Sequence, residues 1–286
     1  MVYAALILAG VVGGYLAGLL GIGGGFIVVP VLLVLLPALG VEPNIVPNVA
    51  VATSLAAMVP TALSATFAQF RRGALDGAWL WRLAPGAAVG ATIGSQVATQ
   101  LSGGWVAVIF AVYSGYFALK MLLDQPLQTD RPGRFVRGMG AVPVPLVAFL
   151  IGGFSAIAGV GGASLTIPFL LFKGVDMKRA VAASSAVGLS IGFAGSVGFA
   201  GPPQLSTYGM SPVLIGLVCW PAAVLLAASA IFMAPRGVAA AHALPVRQLK
   251  RAFAVVLVMA CTAMLAKSGV TPSLLEHTNR ALAGSA

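Results

Sequence analysis

Charged side chains are scarce in this sequence: Asp, Glu, Lys and Arg together make up 8% of its 286 residues. Soluble globular domains carry about 25% charged residues, so the composition excludes an ordinary soluble protein. Hydrophobic residues account for 59% of the chain, and the mean hydropathy is +1.02 over its whole length. The sequence therefore predicts an all-α polytopic membrane protein rather than a soluble domain with one membrane anchor.

The sequence has few acidic residues, histidines and cysteines, and their positions argue against an intramembrane ion relay, a serine nucleophile with a histidine base, and a metal site. All six acidic residues fall in predicted loops or tails, so no intramembrane carboxylate is predicted to relay protons or cations. His242 and His277 lie in a predicted cytoplasmic loop and an external tail, where neither could activate a mid-membrane serine nucleophile. Cys219 and Cys261 lie in apolar runs, and no Cys/His spacing indicates a metal site. We expect no enzyme activity, metal or cofactor.

Apolar runs of about 20 residues, the length that crosses a bilayer as a helix, mark the predicted spans. They lie at 46–70, 80–100, 104–123, 180–200, 211–234 and 249–268. Two longer apolar regions, 2–38 and 141–172, are each interrupted by a cluster of glycines. The pieces after the clusters are about 20 and 15 Å long as helices, too short to cross about 30 Å of hydrocarbon. Each region is therefore predicted to form a re-entrant or tightly paired hairpin that enters and leaves on one side.

Basic residues indicate the orientation in the membrane. All but two of the 16 fall into four groups, namely Arg71, Arg72 and Arg82; Lys120, Arg131, Arg134 and Arg137; Lys173, Lys178 and Arg179; and Arg236, Arg247, Lys250 and Arg251. The positive-inside rule places these loops in the cytoplasm, and both termini then lie outside, in the periplasm of a bacterial inner membrane. The net charge of +10 is thus explained by topology, and no nucleic-acid partner is expected.

The two glycine clusters belong to an internal repeat. Residues 21–30, GIGGGFIVVP, align without a gap with residues 159–168, GVGGASLTIP. Residues 50–55, AVATSL, likewise align with residues 181–186, VAASSA, at the start of the next predicted span. That span runs inwards in the first half and outwards in the second, so the halves are predicted to be inverted-topology repeats, each a broken helical hairpin plus three transmembrane helices. Such repeats are typical of secondary transporters.

The repeat also predicts the organisation of the chain. The chain is predicted to comprise an N-terminal transmembrane repeat (1–123), a cytoplasmic linker (124–140), a C-terminal inverted repeat (141–268) and an external tail (269–286).

The paired G-x-G-G-G/A-x-x-x-x-P motifs, each followed by a T-S or S-S pair in the next span, resemble the TauE/SafE family of sulfite exporters. The resemblance covers nearly the whole chain, in the number of segments, the repeat and the central basic linker. It implies export of sulfite, sulfoacetate or a related small sulfur-containing anion across the cytoplasmic membrane. The partners that it implies are this anion and the lipid bilayer, with a homodimer as one option.

The broken helices suggest how an anion would be held. A helix N-terminus carries about half a positive charge and unpaired N–H donors, which suit an anion. Two such ends, one from each repeat, would face each other near mid-membrane, with nearby hydroxyl groups as further donors. The predicted substrate-binding residues are Gly23, Gly24, Gly25, Thr53, Ser54, Gly161, Gly162, Ala163, Ser164, Ser184 and Ser185.

Three alternatives stay open from the sequence alone. The same donors could line an anion channel or facilitator for small oxyanions, although the repeated hairpins favour a transporter. Glycines in membrane helices often serve only close helix packing. Serine and threonine pairs in spans often form hydrogen bonds within their own helix or to a neighbouring one.

Overall fold

A computed structural model gives the fold and describes residues 1–21, 23–75, 77–123, 143–201, 212–241 and 258. Three predicted features lie outside these residues: the linker 124–140, the tail 269–286 and, apart from Val258, the run 249–268. The described chain is almost entirely helical, which confirms the predicted all-α class. Four of the described helical stretches are long and apolar enough to cross a membrane, namely Val2–Leu19, Pro43–Arg71, Lys178–Ala200 and Trp220–Ala241.

The described helices follow a simple order along the chain. They are α1 (Val2–Leu20), α2 (Gly25–Leu35), α3 (Val46–Arg71), α4 (Gly77–Gln100), α5 (Gly103–Leu123), α6 (Val144–Ala158), α7 (Ala163–Phe172), α8 (Met177–Ala200) and α9 (Trp220–Ala241). Two short 3-10 turns, Pro37–Leu39 and Pro43–Ile45, connect α2 to α3. Two short antiparallel strands, β1 (Leu214–Ile215) and β2 (Val218–Cys219), precede α9.

The glycine clusters are breaks in the helices, as predicted. In the first half α1 ends at Gly21 (φ +69°) and α2 begins after Gly24 (φ +74°). In the second half α6 ends at Gly159 (φ +67°) and α7 begins after Gly162 (φ +69°). A residue with a Cβ rarely adopts this left-handed conformation, which explains why glycine stands at both ends of both breaks.

The two arms of each hairpin differ in length. Helices α2 and α7 contain 11 and 10 residues, about 16 and 15 Å, so neither crosses the hydrocarbon alone. Helices α1 and α6 contain 19 and 15 residues, about 28 and 22 Å. Each short arm therefore has one end inside the protein. That end is the first turn of the helix, at the break.

The span predicted at 211–234 is wrong at its start, because α9 begins only at Trp220. The residues before it form the β1–β2 hairpin, in which Leu214 pairs with Cys219. Pro221 follows at the second position of α9, where its missing N–H leaves no helical hydrogen bond unmade. Strand β2 is buried, in keeping with the rule that non-helical backbone at membrane depth must be covered by protein.

The two halves of the chain are interlocked. The first helix of each half packs along the fourth described helix of the other half, so α1 lies against α9 and α6 lies against α4. Helices α3 and α8 pack against each other, and each also contacts the fourth helix of the opposite half. One hydrophobic cluster runs through all of these contacts.

Both long pairings depend on glycines spaced by four residues. The stripes are Gly10, Gly14 and Gly18 on α1, and Gly86, Gly90 and Gly94 on α4. A Cβ on Gly14 would lie 2.6 Å from the carbonyl oxygen of Ala230 in α9, and one on Gly86 would lie 2.6 Å from that of Pro145 in α6. Small residues let membrane helices approach at the level of their backbones. Close packing of the helices therefore explains why these positions are glycine.

Candidate anion site at the paired helix breaks

The two helix breaks touch each other. A Cβ built on Gly23 would lie 3.1 Å from the Cα of Gly161, its equivalent in the repeat. A Cβ on Gly25 would lie 3.1 Å from the Cα of Val160. The structure thus brings together two glycine clusters that are far apart in the sequence, and both are enclosed between α3 and α8.

Helix α7 begins with N–H groups that have no acceptor among the described residues. The N–H groups of Leu165 and Thr166 donate to the carbonyl oxygen of Gly162, at 3.1 and 2.8 Å. Those of Ala163 and Ser164, the first two residues of the helix, donate to no described residue. These donors carry the positive end of the helix dipole and suit an anion.

Helix α2 begins in the same way. The N–H groups of Ile27 and Val28 donate to the carbonyl oxygen of Gly24, at 3.0 and 3.1 Å. Within the described part of the chain, no group accepts from the N–H of Gly25. The predicted glycines therefore stand at equivalent places in both breaks.

Ser54 attaches the second break to the opposite half of the chain, and Ser184 lies beside the first break. The Oγ of Ser54 in α3 donates to the carbonyl oxygen of Gly159 at 3.1 Å. The Oγ of Ser184 in α8 lies 3.5 Å from the carbonyl oxygen of Gly21 and 2.8 Å from that of Val181. A serine hydroxyl has one proton to donate. Ser54 uses it to support the second break, whereas the shorter distance assigns the proton of Ser184 to Val181 in its own helix.

Two further predicted hydroxyl residues, Ser185 and Thr53, are also buried and bonded. The Oγ of Ser185 donates to the carbonyl oxygen of Val181 at 3.1 Å. The Oγ1 of Thr53 accepts from the N–H of Cys219 at 2.9 Å and so fastens the β1–β2 hairpin to α3. Because Thr53 acts there as an acceptor, its own proton can still be donated. Their role in substrate binding stays a prediction.

Tyr113 of α5, which sequence reasoning missed, contacts both breaks. Its ring stacks on Phe26, with 5.8 Å between centroids and 17° between planes. Its hydroxyl oxygen lies 2.5 Å from the Oγ of Ser164. Phe26 and Ser164 are equivalent, each being the second residue of its short helix. One sequence signal existed, because Tyr113 lies mid-span, whereas membrane tyrosines concentrate at the interfaces.

Ser155 of α6 was missed as well. Its Oγ is fully buried and has no hydrogen-bond partner among the described residues. It lies 3.2 Å from the place that a Cβ would take on Gly162, the N-cap of α7, and it neighbours the hydroxyl of Tyr113. Buried polar atoms in proteins nearly always have partners, so this unpaired hydroxyl beside a helix N-terminus suggests a ligand.

The space beside the first break is small in this structure. A small cavity of about 10 Å³ adjoins the first break and is lined by Gly23, Gly24, Ser54 and Met58, among others. That volume holds about one water molecule and is too small for an anion such as sulfite. Entry of an anion would require the surrounding helices to separate.

Known proteins resemble this chain closely enough to establish its family. The sequence model described as "Sulfite exporter TauE/SafE" matches residues 6–264, which is nearly the whole chain. The chain belongs to the TauE/SafE family. This confirms the resemblance carried by the paired glycine motifs.

Two similar proteins point to the class of membrane transporters. A "Probable membrane transporter protein" of Haemophilus influenzae is 31% identical over 267 residues, which cover 91% of this chain and 97% of the relative. The "Probable membrane transporter protein YunE" of Bacillus subtilis is 24% identical over 199 residues, which cover 65% of this chain and 73% of the relative. No solved structure matches the chain. The family and these relatives support a multi-pass membrane transporter.

Proposed function

We propose that this protein is a secondary transporter that exports a small sulfur-containing anion, sulfite or an organosulfonate such as sulfoacetate, across the bacterial inner membrane. The observation that carries the proposal is the meeting of the two short-helix N-termini at the centre of the fold, where the N–H groups of Ala163 and Ser164 lack acceptors among the described residues. Membership of a family described as sulfite exporters supports this substrate class.

The lack of buried charged side chains supports moderate affinity for the anion and its ready release. No Asp, Glu, Lys or Arg is among the buried side chains that the structure describes. The anion would therefore be held by helix dipoles, backbone N–H groups and hydroxyls, without a buried cation to retain it. A transporter must bind its substrate on one side and release it on the other.

We also propose that residues 1–123 and 141–268 are the predicted inverted repeats. Helices α1 and α9 run parallel, since Gly10, Gly14 and Gly18 approach successive turns of α9. Helices α3 and α9 are parallel too, because Thr53 contacts Cys219 and Ser64 contacts Ile231.

The other long pairing runs in the opposite direction. Helix α4 runs opposite to α3, because the Asn48 side chain near the start of α3 donates to carbonyl oxygens at the end of α4, those of Ala98 and Leu101. Helices α4 and α6 are parallel, because Gly86 lies beside Pro145 and Gly90 beside Phe149. Equivalent helices, α1 with α6 and α4 with α9, thus point in opposite directions. That relation supports alternating access about a central site.

A binding screen tests the proposal. Purified protein is heated in detergent with sulfite, thiosulfate, sulfate, sulfoacetate or isethionate, and its unfolding temperature is compared with that in chloride. We expect one or more of the sulfur anions to raise it, because a ligand that binds only the folded state stabilises that state. The rise should be lost in Gly162→Leu and retained in Gly40→Ala, whose added Cβ meets nothing within 4 Å. Equal shifts in both variants would contradict the site.

A further inference from the structure

We propose that the anion binds at one break only, the one before α7, and that Tyr113, Ser155 and Ser164 bind it together with the first N–H groups of that helix. This inference rests on the proposed function and names the site that serves it. The ligand class is a small pyramidal or tetrahedral oxyanion that offers several acceptor oxygens.

The two breaks differ in polarity although their backbones are equivalent. In the repeat Ser164 corresponds to Phe26, and Ser155 corresponds to Ala17. Both Phe26 and Ala17 are buried. At these two positions the start of α2 has apolar side chains, whereas the start of α7 has two hydroxyls. The Ser54 hydroxyl, which lies near Gly25, already donates to the carbonyl oxygen of Gly159. An anion that gives up its hydration needs hydrogen-bond donors in its place, and the donors are concentrated at α7.

Tyr113 completes the polar side of the site. Its ring is held by stacking on Phe26, so the apolar break positions the phenol whose hydroxyl reaches the polar break at Ser164. The phenol is neutral and can donate one hydrogen bond to an oxyanion. On binding, the Tyr113 hydroxyl would exchange its Ser164 partner for an anion oxygen.

Ser155 provides the independent sign of a ligand. Its hydroxyl is fully buried, unpaired among the described residues and next to the N-cap glycine of α7. An anion oxygen at the α7 N-terminus would give this hydroxyl its missing acceptor. Ala17 offers no such group at the first break.

Isothermal titration calorimetry of the full chain with sulfite, in detergent, tests the assignment. Tyr113→Phe removes the hydroxyl and keeps the ring on Phe26, and Ser155→Ala removes the unpaired hydroxyl. Tyr116→Phe is the matched control, since Tyr116 lies on the same helix with 58% of its surface exposed. We expect each site variant to weaken sulfite binding about 10-fold or more, as loss of one hydrogen bond to a charged ligand does, and the control to bind like the wild type.

The outcomes separate this inference from the proposed function. If the wild type binds sulfite, and Tyr113→Phe and Ser155→Ala bind it as tightly as Tyr116→Phe does, the site is elsewhere and only this inference fails. If the wild type binds neither sulfite nor sulfoacetate, the proposed function fails and this inference fails with it. The unfolding temperature without ligand checks folding, and a site variant that keeps the wild-type temperature but loses affinity supports the assignment.

Discussion

Gly24 and Gly162 have nearly the same backbone conformation at the starts of α2 and α7, and each has a close neighbour where a side chain would grow. A Cβ on Gly24 would lie 2.9 Å from the carbonyl oxygen of Gly13, and one on Gly162 would lie 2.5 Å from the Cδ1 of Ile191. Left-handed backbone costs about 1–2 kcal/mol for a residue with a Cβ. Crowding adds to that cost more at Gly24, whose neighbour is backbone, than at Gly162, where the end of the Ile191 side chain can shift.

We therefore expect Gly24→Ala and Gly162→Ala to lower the unfolding temperature in detergent more than Gly40→Ala does. Gly40 has φ +83° but open space around it, so its variant reports the backbone cost alone. If all three variants lose the same stability, crowding at the breaks contributes nothing.

Ser54 is expected to stabilise the second break through its hydrogen bond to Gly159. Ser54→Ala leaves the Gly159 carbonyl without this buried donor, which should cost about 1–3 kcal/mol in denaturant unfolding. Ser196→Ala is the control, because the Oγ of Ser196 donates to the carbonyl oxygen of Phe193 in its own helix through an exposed hydrogen bond. Equal stability of the two variants would mean that Ser54 does not support the break.

Among individual residues, the repeat could predict the glycines of the breaks and the nearby hydroxyl residues, because aligned motifs within one chain identify equivalent positions. It could not predict Tyr113 or Ser155. These residues lie on α5 and α6, outside the aligned motifs, and only tertiary packing brings them to the start of α7.

At the level of whole helices, the glycine stripes predict that the long pairings depend on close backbone approach. A side chain on Gly90 would collide with the carbonyl group of Phe149 across the α4–α6 pairing. Gly90→Leu should therefore separate the two helices and lower the unfolding temperature, while Val89→Leu, at an exposed neighbouring position, should leave it unchanged. An unaltered Gly90→Leu protein would show that the helices do not depend on this close approach.

Hydropathy predicted most of the described helices well. Four helices begin and end within about three residues of the predicted spans, namely α3, α4, α5 and α8. It failed before α9, because an apolar β-hairpin and an apolar helix look alike to a hydropathy window. What distinguishes them is the bond from the Cys219 N–H to Thr53, which the sequence does not reveal.

For the whole molecule, the all-α membrane class follows from composition alone, while its orientation stays a prediction. Charge placement puts Arg72 in the cytoplasm and the loop around Glu42 outside. In a variant without native cysteines, we expect Glu42→Cys to react with an impermeant maleimide added to intact spheroplasts, and Arg72→Cys to react only after lysis. The opposite labelling would reverse the predicted orientation and place the N-terminus inside.

Counterflow in proteoliposomes tests transport itself most directly. Vesicles containing the purified protein are loaded with unlabelled sulfite and diluted into a trace of radiolabelled sulfite. The proposal predicts a transient accumulation of label that saturates with external sulfite, since a carrier exchanges bound substrate across its two states. Label uptake no greater than in protein-free vesicles, or an ohmic conductance that rises in proportion to sulfite without saturation, would contradict a sulfite transporter.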